Sequence, residues 1–390
     1  MLLPGEFPPD LRVENEAMAL AKAGHEVSIA CLTRKELPSD ECFKSKVIIK
    51  RFKIPTLRYK FGVAALTLPF YFNFWRSELN KLLLKNKYDA IHVHDLPLAQ
   101  IGFEVSKKLN AKFVLDLHEN WPGLLKISEH TQSFVGKILS HDQQWRKYEK
   151  RMCNLADRII VVVEEAQKRL ENLGIEHSKI TVVSNTLNIE SFDKLPKYIA
   201  NKGNKNNFNI FYGGGINKHR GIQIVLQGIA LLNDQFSDFN FDIVGAGKYL
   251  EKLIRLSDSL NISNKINFYG YRPFGEMVAI LQKADVALIP HLKSEHTDTT
   301  IPHKIFQYIY AGIPILSSDC NPLRRIIEET HSGIIYKNDS PKDFAEKLLQ
   351  LKSLISLGEF DPEFGRTFIV NKYNWGKDAQ KLIKLYSEFD

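Results

Sequence analysis

The chain has 390 residues, enough for two domains of ordinary size, and its 44% hydrophobic content supplies real cores. A formal net charge of +8 and a pI of about 9.0 suit phosphorylated substrates or an anionic membrane surface. Lys and Arg are spread out rather than blocked, which excludes a nucleic-acid tract, and no apolar run is long enough to span a bilayer. Four cysteines (Cys31, Cys42, Cys153, Cys320) lie far apart without metal-ligand spacing and read as free thiols. With no signal peptide, the expected location is cytoplasmic, peripheral on the inner face of a membrane if the charge serves one.

Met1-Leu2-Leu3 reads as the tail of a first buried strand, either short or truncated. A turn at 5–9 leads to a helix over 14–23, with Ala17, Met18, Leu20 and Ala21 inward and Gly24 after its end. Strands follow at 27–32 and 47–54. Residues 59–87 read as helical, with an aromatic cluster (Phe61, Phe70, Tyr71, Phe72, Phe74, Trp75) interleaved with Arg58, Lys60 and Arg76. That cluster is either a helix face packed on the sheet or a face that touches lipid headgroups. A strand over 88–93 ends in His92-Val93-His94-Asp95, and one over 113–117 ends in Asp116-Leu117-His118-Glu119. Polar clusters at the C-terminal ends of parallel strands sit where such sheets bind ligands. A strand at 156–163, a helix at 164–173 and a strand at 180–183 close the first half. Residues 193–207, rich in Lys and Asn, read as a linker.

The second half restarts the pattern: a strand over 208–212, the glycine turn Gly213-Gly214-Gly215, and a helix over 221–232. Such a turn lets a phosphate approach the backbone, or else permits tight packing. A strand over 241–244 with Gly245 and Gly247 repeats the device. Strands at 266–269, 286–290 and 334–336 and helices at 274–283 and 341–351 follow. Between them, Thr300 is read as a helix cap with Pro302 in the first turn, Gly312 as the helix end, and 314–317 as a buried strand. A helix starting near Thr300 would aim free N–H groups at an anion. The last helix, 376–389, turns Ala379, Leu382, Ile383, Tyr386 and Phe389 to one side. The expected fold class is α/β, two doubly wound domains in tandem whose strand ends face each other across a cleft.

Ordered motifs then carry a resemblance. They are Asp10-x-Arg12-Val13-x-x-Glu16-Ala17, His92-x-His94-Asp95-x-Pro97 and Asp116-x-His118-Glu119-x-x-Pro122 in the first half. In the second they are Val244-Gly245-x-Gly247, Phe268-Tyr269-Gly270, Pro302-x-Lys304-x-Phe306-x-Tyr308 and Ala311-Gly312-x-Pro314, with Trp375 opening the terminal helix. The chain resembles the retaining nucleotide-sugar glycosyltransferases of family 4 (glycosyl transferases group 1), whose fold is GT-B. The resemblance implies an acceptor-side Rossmann-like domain over 1–192, with 376–390 packing back on it, a linker over 193–207 and a donor-binding Rossmann-like domain over 208–375.

It implies a nucleotide-diphosphate sugar as donor, no cofactor, and a saccharide or lipid-linked acceptor of envelope polysaccharide synthesis. His118 is the first expected catalytic contact, then Asp95 and Glu119; Asp10 and Arg12 belong to the N-terminal loop. Gly214, Gly215, Arg220, Gly245, Lys304, Gln307, Tyr269 and the backbone at Thr299, Thr300 and Ile301 are expected to hold the donor. With no Asp-x-Asp motif, no metal is expected. Two departures stand out: Gly215 occupies the place of the family's usual Arg, and Gln307 that of its ribose-binding Glu. They keep open a non-catalytic nucleotide-sugar-binding homologue; a sugar-nucleotide epimerase of the same architecture is the other alternative.

Overall fold

The computed structural model describes residues 1–83, 87–128, 131, 141–195, 207–232 and 238–389. They divide into two compact units, Met1–Asn185 with Gly376–Asp390, and Thr186–Trp375. Among the described residues no helix is long and apolar enough to cross a membrane.

The first unit holds an eight-stranded sheet in the order β3-β4-β2-β1-β5-β6-β7-β8. Its strands are β1 (Leu2–Leu3), β2 (Val27–Thr33), β3 (Asp40–Phe43), β4 (Val47–Lys53), β5 (Ala90–His94), β6 (Lys112–Leu117), β7 (Arg158–Val161) and β8 (Ile180–Val182). All pairings are parallel except β3 with β4. The central strands are near-continuous apolar runs, because helices cover both faces of such a sheet. Ile29, Cys31, Val93, Val114, Leu115 and Ile159 are accordingly buried.

The antiparallel β3 was not expected. Its strand is largely exposed, and its turn uses Lys44 and Ser45 at positive φ rather than Asn or Gly, so the usual hairpin signal is missing. The first helix is Leu11–Lys22, three residues earlier than read, because Asp10 caps it by accepting from the N–H groups of Arg12 and Val13. Its buried face is Val13, Glu16, Ala17, Ala19 and Leu20; Met18 and Ala21 are only half-buried.

The aromatic region breaks into the helix Thr56–Lys60, a 3-10 turn Phe61–Ala64 and the helix Phe70–Leu83. Tyr71, Phe72, Phe74 and Trp75 are buried, with Trp75 set edge-on to Phe52 of β4, and Arg76 pairs with Glu104. These aromatics are core rather than a lipid face, although Phe70 is exposed. The side chains of Lys60 and Phe61 lie outside the described set. Helices Trp121–Ile127 and Asp142–Leu155, unassigned in the sequence reading, complete this part of the unit.

The second unit has a six-stranded, all-parallel sheet in the order β11-β10-β9-β12-β13-β14. Its strands are β9 (Phe208–Gly213), β10 (Phe239–Val244), β11 (Ile266–Gly270), β12 (Val286–Ile289), β13 (Ile315–Ser318) and β14 (Gly333–Tyr336). Helices Leu250–Ser259, Asn321–Thr330 and Pro362–Asn371 were not separately read from the sequence. Most of the expected linker lies outside the described residues; Asp193 ends the helix Ile189–Asp193. In each sheet the strand order reverses beside the first central strand, between β1 and β5 and between β9 and β12. Doubly wound sheets bind ligands at such switch points.

Candidate functional site

In the first unit the switch point carries a buried polar cluster. His92 and His94 lie two residues apart on β5, so both side chains leave the same face of the sheet. His94 is paired in register with Asp116 of β6. The three histidines converge on one carboxylate oxygen: Asp116 Oδ2 lies 2.6 Å from His118 Nε2, 3.0 Å from His94 Nδ1 and 3.2 Å from His92 Nε2. Tyr386, from the helix Trp375–Ser387, is hydrogen-bonded to His92 Nδ1 at 2.9 Å. With the tyrosine hydroxyl donating there, His92 donates from Nε2 to Asp116, as its neutral tautomer requires. Glu16 stands over the cluster, its oxygens 3.5 Å from His92 Nε2 and 3.7 Å from His118 Nε2.

Burial and charge divide the protons. Burial, reinforced by His92, pushes His94 down to about 3, and burial also lowers His92. Burial opposes a charged His118, but Asp116 outweighs it and holds this imidazole above its ordinary value. Burial likewise opposes the Asp116 charge, yet His118 and the imidazole hydrogen bonds hold that carboxyl well below the usual range. Glu16 is pushed well above it by burial and by Asp116. Asp95 is pushed up to about 6 by burial, against the pull of His118 and Arg12.

Five buried polar atoms here find no hydrogen-bond partner: Glu16 Oε2, His94 Nε2, Asp95 Oδ1, Asp116 Oδ1 and His118 Nδ1. Asp95 also holds a non-glycine backbone at φ 66° and ψ 155°, while its N–H donates to the Asp116 carbonyl. Strain of this kind persists only where the surroundings over-determine it, and it concentrates at functional sites. Arg12 pairs with Asp10 at 3.3 Å and is drawn electrostatically to Asp95 and Glu119. The sequence-predicted Asp10, Arg12, Asp95, His118 and Glu119 are thus brought together. Glu16, His94, Asp116 and His118 each offer a ligand-type atom within 4.8 Å of the others, a set a cation could use. The contacts to Asp116 Oδ2 already have hydrogen-bond lengths, so a proton network accounts for that oxygen as it stands.

In the second unit the glycine turn follows β9. Gly214 and Gly245 have φ of +137° and +150°, and a Cβ on Gly245 would stand 1.9 Å from the Gly214 carbonyl oxygen. Packing of the two loops therefore requires glycine at 245. A Cβ on Gly214 would instead meet Lys304 Nζ at 2.8 Å. That ammonium sits 4.1 Å from the Tyr212 ring centroid. Arg220 donates to His291 Nε2 at 2.9 Å, and its Nε is buried without a partner. Burial and then Arg220 hold Lys304 well below its ordinary value. Burial and the same guanidinium lower His291, and they bring His219 to about 4. Among the described residues neither Arg220 nor Lys304 has a carboxylate within salt-bridge distance. Basic groups left without a counter-ion have the chemistry to meet an anion.

The loop before Lys304 departs from expectation. The helix is Lys304–Tyr310, not one beginning near Thr300. The Thr300 hydroxyl donates back to the His296 carbonyl at 2.9 Å, and the Thr299 N–H to the same carbonyl at 3.1 Å. Ile301 precedes Pro302, which disfavours helical geometry there, so the helix waits until the proline has passed. Thr299, Thr300 and Ile301 consequently do not form a helical first turn, and a seven-residue helix offers little dipole. Gly312 ends the helix at φ +73° as read. Gln307 lies half-buried one turn beyond Lys304. Gly215 lies beside Gly214, where the Tyr212 hydroxyl donates to its carbonyl at 2.7 Å. Tyr269 lies on β11, the edge strand. Tyr308 accepts from the Gly213 N–H at 3.2 Å and so ties the helix to the glycine turn.

Glu16, His291 and the tethering roles of Tyr308 and Tyr386 escaped the sequence reading of the site. One signal was available for Glu16: Val13, Glu16, Ala17 and Leu20 follow helical spacing, which sets a carboxyl in an otherwise apolar stripe.

Comparison with known proteins gives the following. The family model for Glycosyltransferase Family 4 matches residues 11–191, and that for glycosyl transferases group 1 matches 196–357. An uncharacterized glycosyltransferase of Methanocaldococcus jannaschii is 23% identical, with 100% of this chain and 98% of that protein covered. Among solved structures, sucrose-phosphate synthase from Thermosynechococcus elongatus superposes with a TM-score of 0.75 at 18% identity, covering 97% of this chain and 92% of that one. Anabaena HepE in complex with UDP superposes with a TM-score of 0.72 at 13% identity, covering 99% of each chain.

Proposed function

The chain belongs to the family 4 glycosyltransferases of GT-B fold, and on that premise we propose that it transfers a sugar, with retention, from a nucleotide diphosphate to a saccharide or lipid-linked acceptor. One observation carries the reading: Arg220 and Lys304 lie by the glycine turn with no carboxylate to answer them among the described residues. A diphosphate supplies that missing charge. As the sugar–phosphate bond breaks, the leaving group gains charge, and fixed cations that meet it lower the barrier. The acceptor oxygen bonds to the anomeric carbon, and its proton passes to the departing phosphate. Lys304, Arg220 and the backbone near Thr300 and Ile301 hold the diphosphate; Gln307 holds the ribose and Tyr269 borders the base. No divalent ion is needed where the cations are built in.

The first unit serves the sugar and the acceptor. His118 Nδ1 and Asp95 Oδ1, both buried without a protein partner, are the atoms that meet hydroxyls, with Glu119 and Arg12 beside them. The product belongs to envelope polysaccharide synthesis, made at the inner face of a membrane; the chain's +8 charge supports that reading. Because HepE holds UDP, UDP-sugars are the first donors to test.

Thermal shift against UDP-, GDP-, ADP- and dTDP-sugars, with and without magnesium, tests the reading. A donor at ~100 times its Kd stabilises by ~2.7 kcal/mol. A shift with one base, indifferent to magnesium and followed by sugar transfer, supports it. A shift without transfer favours the non-catalytic alternative, for which Gly215 and Gln307 speak. No shift with any donor removes the nucleotide-sugar assignment.

A further inference from the structure

His291 has no role in the reaction so far described, yet it is 3% exposed and meets a cation of the donor site. It follows β12, and its backbone is fixed at two points. Its carbonyl accepts from the Ser318 hydroxyl at 2.6 Å, and the N–H of the next residue, Leu292, donates to the His219 carbonyl at 2.9 Å. The 3-10 turn Lys218–Arg220 therefore lies directly on this segment. The fit is tight: Gly221 ends the turn at φ +73°, and a Cβ there would stand 1.7 Å from the Pro290 carbonyl oxygen. From that packing Arg220 reaches His291, donating from Nη1 to Nε2 at 2.9 Å. A guanidinium only donates, so Nε2 accepts, and the imidazole is neutral with its proton on Nδ1.

The partner sets Arg220 apart. Three other buried or half-buried guanidiniums are answered by carboxylates: Arg12 by Asp10 at 3.3 Å, Arg51 by Glu41 at 2.6 Å, and Arg169 by two bonds of 2.8 Å to Glu149. A carboxylate fixes a guanidinium and cancels its charge. An imidazole nitrogen fixes it and cancels nothing. Arg220 keeps its full charge, and its Nε is buried without a partner. A buried donor without an acceptor calls for an explanation, and a ligand oxygen is one.

We propose that His291 is a positioning residue of the donor site: as a neutral acceptor it holds the Arg220 guanidinium in place and leaves its charge and remaining N–H groups for the diphosphate. Holding a long side chain beforehand removes the cost of ordering it when the ligand arrives. An acidic residue in the same place would make the better salt bridge and the worse anion site. The inference rests on the donor-site reading for the identity of the anion; the hold of His291 on Arg220 stands on geometry.

The test is calorimetric titration of the full chain with UDP and with inorganic pyrophosphate. It compares His291→Gln, a neutral acceptor, with His291→Leu, which has none, and His291→Glu, which accepts but brings charge. In His291→Gln both Kd values stay within about threefold of wild type, and in His291→Leu they rise about tenfold. In an Arg220→Ala background, adding His291→Leu changes Kd by less than about twofold, because both substitutions remove one interaction. In His291→Glu the Kd rises about tenfold or more, while Tm without ligand is no lower than wild type. Affinity and stability then part, which a packing defect does not produce.

An unchanged Kd in His291→Leu overturns the proposal, as does a loss in His291→Gln equal to that in His291→Leu. So does a His291→Leu effect that persists in full without Arg220, or a His291→Glu variant that binds as tightly as wild type or melts lower. Should His291→Leu not fold, His291→Gln against His291→Glu decides, and equal Kd values in these two overturn the proposal. If the wild type binds either anion but turns over no nucleotide sugar, the transferase reading has failed and the series still judges His291. If it turns over sugar with Kd indifferent to His291, the positioning role fails alone. A wild type that binds neither anion overturns both.

Discussion

Asp116→Asn replaces a carboxylate with an amide of nearly the same shape. In the structure one oxygen of Asp116 serves His118, His94 and His92 together. An amide oxygen can accept from two of them at most, and its NH2 adds donors among donors. His118 also loses the anion that keeps it charged against burial. Removing one partner of a buried charge pair costs ~3–5 kcal/mol if the survivor stays charged. His118 can release its proton, so the expected cost is about 3 kcal/mol, the low end of that range. The unit containing the pair, Met1–Asn185 with Gly376–Asp390, has about 200 residues, for which ~1 kcal/mol moves Tm by ~2–4 °C. The expected fall is about 6–12 °C.

Its dependence on pH is the sharper part. The folded value of His118 is raised, so its contribution to stability is complete below about pH 6.5 and is lost as pH rises through that folded value. The folded value of Asp116 is depressed, so the same contact is present above about pH 4 and is lost as pH falls through it. The Tm difference between wild type and Asp116→Asn should peak between about pH 5 and 6.5 and shrink towards pH 8.5. Differential scanning calorimetry across that range measures it. A difference that is flat with pH, or below about 2 °C throughout, refutes the charge pair and leaves only packing.

Other outcomes follow from the same structure. Arg220→Ala should raise the Kd of the nucleotide sugar about 10- to 100-fold in calorimetry, the worth of a charge-assisted hydrogen bond. Gln307→Glu should tighten donor binding if the glutamine merely weakens a ribose contact; loss of binding and turnover would make the amide a requirement. Asp95→Gly should raise Tm, because glycine accepts the backbone at φ 66° and relieves ~1–3 kcal/mol of strain, while kcat falls with the lost carboxyl. A variant that is less stable would show that the aspartate side chain, not strain, governs this turn.

Two doubly wound sheets were legible because β2, β5, β6, β9 and β12 are short runs dominated by apolar residues, β12 wholly so. What local pattern does not carry was missed. The hairpin strand β3 is held by pairing to β4 and has no apolar face of its own. The start of the helix at Lys304 was misplaced because the hydroxyl of Thr300 has two uses, as a cap or as a donor to the loop behind it, and the sequence does not choose. His118 and Asp95 could be read from their place at strand ends. Tyr386 could not, since its contact with His92 joins residues 294 apart in chain order, and the apolar stripe that holds Glu16 does not show that it meets Asp116. His291 escaped for a related reason: only the fold shows that it faces Arg220.

The first unit is discontinuous, and that fixes the order of its assembly. Residues up to Asn185 leave the ribosome first, then the whole of Thr186–Trp375, and only then the helix that brings Tyr386 to His92. Until that last helix emerges, the nascent first unit has a histidine pair whose tyrosine partner does not yet exist. The second unit is continuous and can finish without waiting. Synthesis therefore runs as an insertion: a nearly complete host, a self-sufficient guest, and a closing segment that arrives last. A chain released before that helix lacks the tyrosine that completes its histidine cluster.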